Sequence, residues 1–256
     1  MVFGSLKILI YQSDSKFEYS EKNFKKDVFF IKKKQLIFYT SPLLTKNGFF
    51  HAFFTKESSL IKLNSITEKI SPRNVNLTLK QVHSNSIIIN PVIENEKEVK
   101  ADGIISCESN KNLCIYTADC MPIFFADKKN NRVAAVHCGR RGLEKGIIIK
   151  TIRKLVDLGT EIENLLIAVG PSISKKNYLL DKNSYTQFLI KFERVSNISL
   201  SPQKGINTFD GFGLKDFFEL DIKNHAYLQL INQGIPKTCL VHFSCQIFSY
   251  SGVLLF

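Results

Sequence analysis

The amino-acid sequence predicts an α+β fold: a single domain over 1–256 in which mixed β-sheets pack against outer helices. Three observations lead there. Short β-branched and aromatic runs, separated by polar turns, fill the chain as far as Val136. Beyond that point the apolar residues recur at helical spacing. Strands and helices are therefore segregated along the chain, which argues against a doubly wound parallel sheet. With 256 residues, 44% of them hydrophobic and 23% charged, the chain can bury one sizeable core.

The first strands are expected at Leu6–Tyr11, Val28–Ile31, Leu36–Tyr39 and Phe49–Phe54. Residues 56–75 are polar and weakly periodic, and Pro72 closes them. Strands resume at Leu77–Lys80, Ile87–Ile89, Gly103–Ser106, Leu113–Tyr116, Ile123–Phe125 and Val133–Val136. The last two are joined by Asp127–Asn131, DKKNN, whose composition is that of a hairpin turn. Leu143, Ile147, Ile148, Ile152, Leu155 and Val156 then mark one face of an amphipathic helix, with Gly159 as its cap. A strand follows at Leu165–Val169, and helices are expected over Ser184–Glu193 and Leu214–Gln233. Strands at Cys239–His242 and Gln246–Tyr250 complete the pattern.

Composition limits the function classes. The net charge of +12 suits a nucleic-acid binder or a phosphate-handling enzyme. The lysines are scattered, however, with no basic run of helix length, so nucleic acid is not the expected partner. The six cysteines form no CxxC pair and no regular framework, as in a reduced protein. The N-terminal apolar stretch is broken by Lys7 and reads as a strand rather than a signal peptide. No apolar run reaches the ~20 residues of a membrane span. A cytoplasmic protein is expected, with no signal for an oligomeric state.

The stretch Thr117–Gly142, TADCMPIFFADKKNNRVAAVHCGRRG, holds the densest chemistry. Cys120 opens one strand, His137 ends the next, and a basic turn, Gly139–Gly142, follows. Upstream, His83 precedes Ile87–Ile89. Two histidines and a cysteine at strand ends would leave a zinc ion one open position, as in catalytic sites. Each also has an ordinary reading, since lone histidines and free cysteines are commonly buried core residues. Cys138 reads either as a fourth soft ligand or as a small buried residue.

Five segments, QVHSNSI, ADGIIS, TADCMPIFF, VAAVHCGRRG and GPSIS, occur in the order found in the laccase-domain (YfiH-type, multicopper polyphenol oxidase-like) family, which the chain resembles from about 76 to 178. The resemblance implies metal ligands His83, Cys120 and His137, with zinc as the ion and copper as the alternative. It implies Arg141 as an oxyanion or phosphate site, Asp119 as the residue orienting a ligand, and Gln81, Arg140 and Gly170 as substrate contacts. Arg140 stands where the family has tryptophan, Cys138 where it has alanine, and Asn177 and Leu179 where it has cysteine and glutamate. The family's glycine-rich loop and C-terminal arginines are missing.

The implied activity is that of a zinc-dependent purine nucleoside enzyme. Its substrates would be inorganic phosphate with adenosine, inosine or methylthioadenosine, and it would also deaminate adenosine. A laccase needs several copper clusters bound mainly by histidine, and this chain has five histidines. The second class is an amide hydrolase or deamidase that edits peptidoglycan precursors, with Cys120 as nucleophile and His137 as base. The third is a catalytically degenerate binding protein.

Overall fold

A computed structural model of the protein describes residues 25–31, 34–54, 63–70, 75–91, 99–201, 205–209, 214–242 and 246–247. The chain starts with a hairpin of β1 (Lys25–Ile31) and β2 (Lys34–Thr40), then α1 (Pro42–Lys46), β3 (Phe53–Phe54) and α2 (Leu63–Ile70). Next come β4 (Val75–Leu77), β5 (Ile87–Ile89), β6 (Gly103–Ser106), β7 (Lys111–Leu113), β8 (Met121–Asp127) and β9 (Val133–Cys138). Two helices follow, α3 (Arg140–Glu144) and α4 (Ile147–Asp157), then β10 (Leu165–Val169), β11 (Ser172–Ile173), β12 (Leu179–Asp181) and α5 (Lys182–Ser196). The remainder is β13 (Ile206–Phe209), β14 (Leu214–Glu219), α6 (Ile222–Asn232), β15 (Leu240–His242) and β16 (Gln246–Ile247).

A six-stranded sheet, β15-β10-β8-β9-β6-β5, forms the centre. It is mixed, because β5 lies parallel to β6 and β15 parallel to β10, while β6, β9, β8 and β10 alternate in direction. Its strands are buried on both faces, so side-chain alternation feeds two cores. Ile105, Ile123, Phe125, Val136 and Ile167 join the core under Ile148 and Ile152 of α4, Phe188 and Phe192 of α5, and Ala226 and Leu230 of α6. Ile104, Phe124, Ala135 and Ala168 face the opposite core with Tyr39, Leu44, Phe53, Leu77 and Leu113. The β8–β9 hairpin turns where expected. Asp127 accepts the Lys129 and Asn130 N–H groups, and Asn131 takes the left-handed conformation that closes the turn.

Several expectations need correction. The helix read across 143–156 is two helices, because Gly146 adopts φ +70° between them. The helix read as Leu214–Gln233 begins only at Ile222. Asp221 caps it by accepting the Asn224 N–H, while Leu214–Glu219 is a strand paired with β12 and β13. In the polar stretch 56–75, α2 forms and buries Ile66 and Thr67. The strand expected over Phe49–Phe54 is confined to Phe53–Phe54, that over Leu77–Lys80 is Val75–Leu77, and that over Leu113–Tyr116 is Lys111–Leu113. The last two pair with each other. Leu6–Tyr11 and the end of Gln246–Tyr250 lie outside the described residues.

His51 locks α1 and β3 onto the central sheet. Its Nε2 accepts the Ser41 N–H at 2.6 Å, and its ring meets Phe124 edge-on with centroids 6.0 Å apart. Burial holds its pKa down to about 4 from 6.5, so the fold keeps the ring neutral while the unfolded chain takes up a proton. This contribution is complete above about pH 6.5 and is lost as pH falls toward 4, at ~1.4 kcal/mol per pH unit. His51→Gln should lower the thermal midpoint at pH 7.5, and the gap from wild type should narrow by pH 5. A gap that stays constant with pH would show that His51 is not held neutral.

Candidate metal centre and cavity

The pairing of the central sheet gathers the candidate ligands at one end. Cys120 precedes β8, His137 lies in the last turn of β9, and Pro122 pairs with His137 across that antiparallel hairpin. Asp102 immediately precedes β6, whose first residue, Gly103, pairs with Val136 beside His137. His83 lies in the loop leading into β5, parallel to β6. Sequence neighbours of four strands thereby become spatial neighbours. The metal-binding atoms of His83, Cys120 and His137 all lie within 4.8 Å of one another.

Asp102 holds this arrangement. Its side chain is fully buried and accepts the N–H groups of Val82, His83 and Ser84, at 3.2, 3.0 and 2.7 Å, and the Ser84 hydroxyl at 2.7 Å. Three successive N–H groups turned toward one carboxylate require a tight concave backbone, and His83 adopts φ +55°, uncommon for a residue with a side chain. The other partner is His137, whose Nδ1 is 2.8 Å from Asp102 Oδ1. A carboxylate only accepts, so Nδ1 carries a proton, and in the neutral ring Nε2 presents the lone pair. Burial opposes the charged carboxylate, yet the His137 and Ser84 hydrogen bonds hold Asp102 well below the usual carboxylate range.

The thiol and imidazole are charged by the same geometry. Burial alone would push the Cys120 thiol up; hydrogen bonds from His137 and His83 bring it down to about 7. Burial disfavours a charged His137, but Asp102 and Cys120 raise it to about 9. Gly139 makes room for the sulfur, since a Cβ there would fall on Cys120 Sγ. Cys120 Sγ lies 4.0 Å from His83 Nε2, against roughly 3.6 Å for a thiolate and an imidazole sharing a tetrahedral zinc. One thiolate and two imidazoles at this separation fit a divalent ion, and the set can hold a metal.

Beside these donors is a cavity of about 300 Å³ lined by His83, Asp119, Cys120, Arg140, Arg141, Ile173, Tyr178 and Ile222. The basic pair is carried by α3, which Gln229 ties down by donating to the Leu143 carbonyl and to Ser196 Oγ. The Arg141 side chain has no hydrogen-bond or ion-pair partner among the described residues, whereas Arg140 lies 3.4 Å from Glu144. Because α3 has only five residues, anion attraction rests on the guanidinium groups rather than on a long helix dipole.

Three sequence readings change. Gln81 does not line the cavity, because its amide donates to the Tyr116 carbonyl at 2.6 Å and accepts the Tyr116 N–H at 2.8 Å. Gly170 is also absent from the lining. It is a packing glycine, where a Cβ would meet Phe53 at 2.5 Å and Pro122 at 2.6 Å. Cys138 alternates away from His137 into the helical core, so it is a small buried residue and not a ligand. The carboxylate orienting a ligand histidine is that of Asp102, which the sequence reading passed over for Asp119. Its signal was the ADG of ADGIIS, one residue before a strand. Tyr178 was missed as a lining residue because nothing local marks it.

These features belong to an α+β fold with a candidate metal centre, and the chain is a member of the family described as multi-copper polyphenol oxidoreductase laccase, whose model matches residues 62–251. A purine nucleoside phosphorylase of Synechocystis sp. is 33% identical over 137 residues, 51% of this chain and 52% of that protein. One of Rickettsia prowazekii is 32% identical over 132 residues, 52% of this chain and 53% of that protein. The chain thus spans about half the length of these curated relatives. The fold is similar to that of YlmD from Geobacillus stearothermophilus, with TM-score 0.56, 22% identity, and 70% and 66% of the two chains covered. It is likewise similar to the Neisseria meningitidis protein NMB0706, with TM-score 0.55, 20% identity, and 86% of each chain covered.

The Asp102 network makes a direct prediction. Asp102→Asn keeps the shape but replaces an acceptor oxygen with a donor. The affinity for Zn²⁺, read by competition with a chromophoric chelator, should fall about 10- to 100-fold. Unchanged affinity in a folded variant would show that Asp102 does not orient the ligands.

Proposed function

We propose that this protein is a zinc-dependent purine nucleoside enzyme that cleaves adenosine, inosine or methylthioadenosine with inorganic phosphate and also deaminates adenosine. The observation that carries the reading is that Arg141 lines the same cavity as His83 and Cys120, two members of the clustered His83–Cys120–His137 donor set. The names of the curated relatives support it. Zinc suits one thiolate and two neutral imidazoles better than the several histidine-rich clusters of a laccase would, and when bound it supplies Lewis-acid stabilisation of developing negative charge.

In phosphorolysis a phosphate oxygen forms a bond to ribose C1′ while the C1′–N9 bond breaks. The electron pair leaves with the base, which is then protonated. Arg141 binds the phosphate by charge-assisted hydrogen bonds and holds it against C1′. Asp119 lines the same cavity. Asp102 keeps His137 in the tautomer that offers Nε2 to the ion. His83, Cys120 and His137 are the ligands.

A second reading rests on the ionisation of the centre. A thiol lowered by its two histidines, beside an imidazole raised by Asp102 and Cys120, favours a thiolate–imidazolium pair, the starting state of a cysteine hydrolase with Cys120 as nucleophile. A thiolate committed to zinc is not a free nucleophile, so metal dependence separates the two.

Arg141→Ala should lower phosphate-dependent nucleoside cleavage at least about tenfold and shift stability by no more than ~0.5 kcal/mol, as for an exposed surface side chain. Cleavage at the wild-type rate would reduce Arg141 to surface charge. Chelation should abolish nucleoside loss in the wild type, and added Zn²⁺ should restore it. Cleavage that returns only with phosphate marks phosphorolysis, whereas ammonia release without phosphate marks deamination. Full activity after chelation, abolished by alkylating Cys120, would favour the thiol enzyme.

A further inference from the structure

The cavity lining is chemically mixed. His83, Cys120, Asp119 and Arg141 supply metal donors and charge, while Ile173, Tyr178 and Ile222 supply an apolar and aromatic wall. Arg140 lines the same cavity together with Tyr178. Its Nη1 lies 3.4 Å from Glu144 Oε1. Glu144 is nearly buried and also takes Lys191 at 3.8 Å, so the Arg140 stem is anchored away from bulk solvent. Tyr178 is fixed too, since its N–H donates to the Lys175 carbonyl at 3.1 Å and its carbonyl accepts the Leu220 N–H at 2.9 Å. Its half-buried ring packs against the helical core.

We infer that Arg140 is a specificity-determining residue that reads the edge of the base and selects 6-oxopurine nucleosides, inosine and guanosine, over the 6-aminopurine adenosine. The inference rests on the nucleoside reading above and ranks its substrates. Ile173, Tyr178 and Ile222 give the flat face of any purine an apolar surface, so they discriminate little between bases of the same shape. Discrimination then falls to the polar group that shares the cavity with them. A guanidinium has five donors and no acceptor. A 6-oxopurine offers it two adjacent acceptors, O6 and N7, which match its fork. A 6-aminopurine puts an N–H₂ donor in place of O6. Donor then faces donor, and both lose hydration without gaining a partner. The tryptophan of the family motif at this position offers stacking and a single donor, without the fork. The exchange to arginine therefore changes what the cavity can distinguish while leaving His83, Cys120 and His137 in place.

The test uses the full-length, zinc-loaded protein, with phosphate-dependent release of hypoxanthine, guanine or adenine from the three nucleosides. The ratio of kcat/KM for inosine or guanosine to that for adenosine should be about tenfold or more. Arg140→Trp should bring the ratio to within about threefold of unity. Arg140→Lys keeps the charge but not the fork and should also lower the ratio. Preference for adenosine in the wild type, or an unchanged ratio in both folded variants, overturns the inference. If no nucleoside is cleaved, the phosphorolysis reading fails separately. Calorimetric binding of guanosine and adenosine without phosphate then decides: tighter guanosine binding supports the role of Arg140, and equal or absent binding overturns it.

Discussion

The Asp102 carboxylate accepts hydrogen bonds from the backbone of the His83 loop and from the His137 ring at the same time. Each of these would otherwise be free to move independently. The His83 loop has no regular secondary structure to hold it, and its left-handed turn is uncommon for histidine. His137 can carry its proton on either nitrogen. One buried anion settles both questions, because three backbone donors and a ring N–H are satisfied only in one arrangement. Lys145 adds a further tie by donating to the His83 carbonyl at 3.0 Å. Loop and strand end are thereby set before any ligand enters, which limits the ordering entropy left to binding.

That carboxylate can act only because of the sheet. Antiparallel pairing of β8 with β9 puts Cys120 beside the end of the strand that carries His137, and antiparallel pairing of β6 with β9 brings Asp102 to the same end. Parallel pairing of β5 with β6 adds the His83 loop. The two cores on either face fix this pairing, since a one-residue slip would exchange the side chains facing them. The packing glycines work at the same level: Gly139 leaves space for the Cys120 sulfur, and Gly170 lets Phe53 close over Pro122.

The cavity joins the clustered donors to a partly apolar wall. Arg140 and Tyr178 act together there, one a planar cation and the other an aromatic ring whose phenol burial pushes up. Arg140 gains its fixed position from Glu144, one helical turn away on α3, and from the packing of α3 against α5 and α6. Polar residues beyond the cavity thus hold the Arg140 side chain in place.

Much of this was legible in the chain. Short continuous apolar runs marked Ile87–Ile89, Gly103–Ser106 and Val133–Val136, because buried strands need continuous apolar residues whatever their partners. Chemistry-bearing residue types at the ends of such runs, in motif order, named His83, Cys120, His137, Asp119, Arg140 and Arg141. Where local signals compete, the reading failed. Leu214–Glu219 has helical apolar spacing yet pairs as a strand, because two neighbouring strands satisfy its backbone. Gln81 and Gly170 sit in recognisable motifs, but contacts with Tyr116, Phe53 and Pro122 from other segments give them structural work. Asp102 and Tyr178 were overlooked for the converse reason: an aspartate before a strand and a tyrosine after a short turn are ordinary until long-range pairing surrounds them. The sequence by itself determined residue types, strand periods and the order of the motifs. Tertiary structure alone decided which carboxylate orients the ligands and which side chains wall the cavity, because those roles depend on hydrogen bonds and packing between residues far apart in the chain.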